Sequence, residues 1–166
     1  MGAVISEPSG LYRYQLDRVV DPIGDLIDRK TVTFIMLNPS TADAETDDPT
    51  LTRCISRAQR EGGTYLQVVN LFAWRSPDPA DLLAAHDPVG PDNDFWIEDA
   101  LSRSDLVIAG WGTRVPKARK ARVPEVVELV AAAGHDLWAV KTTIGGQPWH
   151  PLYSKADWPL TPWSLR

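Results

Sequence analysis

The run Phe34-Ile35-Met36-Leu37 follows Lys30-Thr31-Val32-Thr33 and passes straight into Asn38-Pro39-Ser40-Thr41. A short apolar run preceded by β-branched residues reads as a buried strand. Proline has no N–H to give to a sheet ladder, so the strand ends at Pro39 and leaves Asn38 at its carboxyl end. In open α/β sheets ligands bind at that edge. The same logic applies to three later runs. Tyr65–Val69 ends in Asn70-Leu71-Phe72-Ala73-Trp74, Leu106–Ala109 ends in Gly110-Trp111-Gly112, and Leu137–Val140 leads through Gly145-Gly146 to Trp149-His150-Pro151-Leu152-Tyr153.

Helical patterns separate these runs. Asp48-Pro49 is a helix start, because aspartate caps and proline suits the first position. Leu51, Cys54, Ile55 and Ala58 then recur on one face until Gly62-Gly63 stops the helix near Glu61. Further helices are expected over Ser76–Ala85, Asp92–Arg103 and Val123–Ala133. Strands alternating with helices give an α/β fold. The expected form is a three-layer α/β/α domain with a central, mostly parallel four-stranded sheet, and Leu11–Val20 as an antiparallel edge strand. Residues 1–166 read as one domain, with 1–10 and 155–166 as peripheral extensions.

Cys54 is the only cysteine, which excludes an internal disulfide, a cysteine-ligated cluster and a multi-cysteine zinc site. Its simplest reading is a small core residue. No run approaches the roughly 20 apolar residues of a membrane span. The N-terminus carries no secretion-signal pattern, so a cytoplasmic protein with no membrane partner is expected. A net charge of −5 argues against non-specific coating of nucleic acid. Basic residues nevertheless crowd after the third strand, at Arg114, Lys117, Arg119, Lys120 and Arg122. Their place beside a strand-end loop makes Arg114 and Lys117 candidates for phosphate contact. No dinucleotide fingerprint, phosphate-loop lysine motif or serine elbow is present, and no cofactor is expected.

Two resemblances rest on these loops. Ile35–Asp43, Asp47-Asp48-Pro49-Thr50, Val69–Ala73 and His150–Tyr153 are similar to a bacterial and phage family catalogued as a domain of unknown function, number 1643. More remotely, four motifs resemble in their order those of the uracil-DNA glycosylase superfamily: Leu37-Asn38-Pro39-Ser40, Val68-Val69-Asn70, Ala109-Gly110-Trp111-Gly112 and His150-Pro151-Leu152. That resemblance implies a glycosylase-like fold and roles for single residues. Asn38 would position the attacking water, and His150 would stabilise charge on the departing base. Asn70 would read the base edge. Pro39, Ser40 and Trp111 would belong to the base site, and Phe72 or Trp74 would supply the stacking platform.

The residue types suit that chemistry. Cleaving an N-glycosidic bond needs a held water and a donor at the base, and an amide offers a donor and an acceptor in one plane. Each residue also has a structural reading: Asn38 as a turn former, Asn70 as a cap, Phe72 and Trp111 as core. Three functions therefore stay open. The first is an N-glycosidase acting on a base in nucleic acid or a nucleotide. The second is a non-catalytic binding module for a nucleobase, nucleotide, DNA or RNA. The third is a metal-assisted hydrolase using Asp43, Asp47 and Asp48.

Overall fold

The computed structural model describes residues 2–6, 9–40 and 46–165. Among these, seven strands form one mixed sheet: β1 (Gly2–Ile5), β2 (Arg13–Val19), β3 (Thr31–Met36), β4 (Tyr65–Asn70), β5 (Leu106–Ala109), β6 (Leu137–Ala139) and β7 (Thr161–Pro162). Their order is β1-β2-β4-β3-β5-β6-β7. β3 pairs in parallel with β4 and with β5, and β5 in parallel with β6. The pairs β1/β2, β2/β4 and β6/β7 are antiparallel. The sheet is thus wider and more mixed than the four-stranded one expected. β2 is not an edge strand, because Gly2–Ile5 pairs outside it.

β3 is buried along its whole length. Its side chains alternate between two cores, as strand geometry requires. Phe34 and Met36 join Leu51, Cys54 and Ala58 of α2 (Pro49–Arg60). Ile35 turns the other way, to Ile97 of α4 (Asn93–Leu101) and Val126 and Val130 of α5 (Arg122–Ala132). Cys54 is fully buried, and desolvation raises its thiol pKa far above the ordinary range, so it packs as a small apolar group.

The α2 start follows the expected chemistry. The Asp48 carboxylate accepts the Leu51 N–H at 2.7 Å, with Pro49 in the first turn. Two further helices are short: α1 (Pro22–Ile27), which the sequence pattern does not announce, and α3 (Asp81–Ala84). The expected helix over Ser76–Ala85 shrinks to α3 because Ser76 spends its hydroxyl on the Asp78 carbonyl and the Asp81 carboxylate, building a turn instead.

The last residues also join the fold. β7 pairs with β6, and Trp163 is buried against Trp111, edge to face, with ring centroids 5.1 Å apart. The Trp163 indole N–H donates to the Gly146 carbonyl at 3.0 Å. Trp163→Ala should therefore cost about 3–5 kcal/mol, the usual range for deleting a buried tryptophan. A urea midpoint unchanged from wild type would refute that role.

Candidate functional site

The chain passes from β3 to β4 on one side of β3 and then returns to place β5 on the other. At such a reversal the loops leaving neighbouring strands diverge, and a crevice opens at their carboxyl ends. A cleft of about 330 Å³ lies there. Leu37, Asn38 and Ser40 line it from the loop after β3, and Trp111, Gly112, Thr113 and Arg114 from the loop after β5. Thr143, Pro148, Trp149, His150, Leu152 and Tyr153 line it from the segment after β6. Pro77, Pro79 and Thr50 complete the wall.

Asn38 is fixed by its own donor. Its Nδ2 donates to the carbonyls of Ser76 at 2.9 Å and Pro39 at 3.2 Å, with Trp74 at 3.5 Å. These acceptors settle which end of the amide is nitrogen. Oδ1 has no partner among the described residues, so Asn38 offers the cleft an acceptor. Pro39 is buried, and its carbonyl also accepts the Ser76 N–H.

His150 arrives on a hairpin-like loop. The Thr143 N–H donates to the Gln147 carbonyl and the Trp149 N–H to the Lys141 carbonyl, while Gly146 takes the turn at φ 81°. The Trp111 indole N–H donates to Gln147 Oε1 at 3.1 Å, tying the loop to the cleft floor. The Gly-Trp-Gly segment makes room for it. A Cβ at Gly110 would lie 3.1 Å from Pro151 Cδ and 2.7 Å from Met36 Sδ, and one at Gly112 would lie 3.1 Å from His150 Cβ. Gly112 also has φ 73°, a region costly for other residues.

The His150 ring has a defined tautomer. Nδ1 accepts the Leu152 N–H at 3.3 Å, capping a short turn at Pro151–Tyr153. Burial lowers the His150 pKa, Arg114 lowers it further, and Asp48 opposes both. A neutral ring that accepts at Nδ1 carries its proton on Nε2. Nε2 has no partner among the described residues, so His150 offers the cleft a donor.

The other expected residues divide. Ser40 and Arg114 line the cleft, and Arg114 pairs with Asp78 at 3.3 Å where both are exposed. Trp111 is its buried floor. Phe72 is in the core, and Trp74 packs edge to face on Tyr12, so neither lines the cleft. Trp149 and Tyr153 are the aromatics at its wall. Their signal in the sequence is the strand-end run Trp149-His150-Pro151-Leu152-Tyr153. Lys117 is exposed but does not line the cleft. Arg119 and Arg122 turn inward, donating to the carbonyls of Leu82, Ala85 and Leu71.

Asn70 is 1% exposed and lies beside the cleft rather than in it. It lines a smaller space of about 40 Å³ with Arg13, Asp48 and Thr50, and Thr50 also lines the cleft. Its Nδ2 has no hydrogen-bond partner among the described residues. Asp47 pairs with buried Arg18 at 2.7 Å, and Asp48 caps α2. Asp43 lies outside the described residues. Among the described residues no group of three or more metal-ligating side chains could hold a metal ion, and no helix is long and apolar enough to cross a membrane.

The lowered His150 pKa predicts a pH effect. The unfolded chain protonates its histidine first as pH falls through about 6.5. The stability held above that value is therefore lost as pH drops toward the lower folded value. Urea midpoints should fall more between pH 7.5 and 5.5 in wild type than in His150→Asn, which keeps an acceptor for the Leu152 N–H but does not titrate. Parallel midpoints in the two proteins would contradict the assignment.

No curated protein and no solved structure matches the chain. A family model, described as a protein of unknown function (DUF1643), matches residues 13–152, from the first residue of β2 to Leu152 in the cleft wall. The chain belongs to the DUF1643 family.

Proposed function

We propose that this protein binds a nucleobase in its cleft and cleaves the N-glycosidic bond that holds it. One observation carries the reading. Asn38 Oδ1 and His150 Nε2, an acceptor and a donor, are left uncommitted by fixed hydrogen bonds and belong to residues lining one cleft. Water held by Asn38 Oδ1 would add to the anomeric carbon as the C–N bond breaks. The base would leave with the bonding electron pair, stabilised by a hydrogen bond from His150 Nε2–H, and the proton lost by the water would pass to that departing base. Such a hydrogen bond stabilises charge only as charge develops, which is how a positioned donor lowers a barrier.

The site's size supports a small planar ligand. About 330 Å³ is near the lower end of ordinary ligand pockets, about 300–1,000 Å³. Trp149 and Tyr153 at the wall offer aromatic faces to a base taken out of its stack. The remote resemblance to the uracil-DNA glycosylase superfamily supports the reading through the order of the loops. A glycosylase-like fold for this sheet is part of the same proposal.

Binding without cleavage is the second reading, and a specific observation favours it. Among the described residues no carboxylate lines the cleft to take a proton from the water. Asn70, expected at the base edge, is not a lining residue.

Release of free base separates the two. Purified protein would be incubated with oligonucleotides containing uracil, hypoxanthine or modified bases, and with free nucleosides. His150→Asn should lower base release by about 10²–10³, the usual effect of losing one such donor. Saturable base binding with no release from folded wild-type protein would reject cleavage and leave binding as the function.

A further inference from the structure

A second groove lies behind the rim of the cleft, against α2. Arg53, Ser56, Arg57 and Arg60 line it from the helix, and Ser154 and Ala156 from the segment that follows Tyr153. Its volume is about 180 Å³. The arginines stand at i, i+4 and i+7, so one helix face carries them all.

Two of them are already aimed. Arg57, 5% exposed, donates to the carbonyls of Lys155 at 3.4 Å and Ala156 at 3.3 Å, and to Glu61 at 3.1 Å. Arg60 donates to the carbonyls of Ala156 and Asp157. Carbonyls satisfy N–H groups without cancelling charge, and Glu61 is the only carboxylate bonded to these arginines among the described residues. Arg53 is exposed and has no hydrogen-bond or salt-bridge partner among the described residues. The groove therefore holds uncompensated positive charge on a protein whose net charge is −5. The Ser56 hydroxyl lies beside it, and the Ser154 hydroxyl donates to the Pro151 carbonyl at 2.8 Å.

Such a setting fits a phosphate: guanidinium groups for its charge and the Ser56 hydroxyl for a remaining oxygen. Tyr153, at the cleft wall, and Ser154, in the groove, are consecutive, so their Cα atoms stand about 3.8 Å apart. The cleft wall and the groove are therefore adjoining stretches of one chain segment. We infer that the α2 groove binds a backbone phosphodiester of a single-stranded nucleic acid whose base occupies the cleft. The inference rests on the base-binding reading of the cleft, and it makes the substrate a strand rather than a free nucleoside.

The test is binding of a fluorescent single-stranded ten-nucleotide DNA, read by anisotropy across a salt series. Arg53→Gln should weaken binding by about tenfold at low salt. It should also reduce the slope of log affinity against log salt by about 0.7, the loss of one single-strand phosphate contact. Arg53→Lys, which keeps the charge, should retain the slope. Equal affinity and slope in wild type and Arg53→Gln, or no binding by wild type, would overturn the groove. Titrating wild type with a free nucleoside separates the two ideas. A bound nucleoside with no Arg53 effect sinks the groove and leaves the cleft. Oligonucleotide binding that depends on Arg53, with no nucleoside bound, keeps the groove as a phosphate site and removes the base reading.

Discussion

Backbone polar groups that leave a sheet ladder in a dry interior must find partners, and this protein is built around meeting that demand beyond β3 and β4. An unsatisfied buried group costs about 1–3 kcal/mol. Past β4 the Asn70 carbonyl accepts from Asn93 Nδ2 at 3.0 Å. The Leu71 carbonyl accepts from both Asn93 Nδ2 and Arg122 Nε. These bonds pin the starts of α4 and α5 to the end of the sheet. Past β3, Asn38 does the same for the 74–76 loop. The cleft is a by-product of this arrangement: Asn38 presents an acceptor because its donor is committed to the scaffold.

His150 is set from the other direction, by absence and by tethering. Gly110 and Gly112 remove the atoms that would hold the His150-Pro151 segment away from β5. Two indole N–H groups, those of Trp111 and Trp163, then hold the loop that precedes it. Burial keeps the ring neutral near pH 7, and the Leu152 N–H determines which nitrogen keeps the proton. Nothing in this placement needs a carboxylate partner for the histidine, unlike a catalytic triad.

The sequence made β3, β4 and β5 legible, because continuous apolar runs ending in Asn-Pro or Gly-Trp-Gly have few other readings. It made α2 legible through Asp48-Pro49 and its apolar face. Strand order was not legible. Nothing local says that β5 lies beside β3 rather than β4, yet that choice puts Asn38 and His150 around one cleft and leaves Phe72 in the core. β1 was missed because four residues with no charge and no alternation carry no strand signal. The basic run was half legible: Arg114 reaches the cleft, while Arg119 and Arg122 answer buried carbonyls that only the folded chain reveals.

The Trp111–Trp163 contact also has a consequence for synthesis. A ribosome releases the chain from its N-terminus, and domains begin to fold as they emerge. β3, β4 and β5 can pair while the later residues are still in the exit tunnel. At that stage the face of Trp111 that Trp163 covers stays open to solvent, and the Gly146 carbonyl lacks its indole donor. The nascent chain therefore holds a paired sheet before it holds a finished cleft. For that interval one face of Trp111 stays uncovered, and the emergence of Trp163 from the tunnel is what closes it.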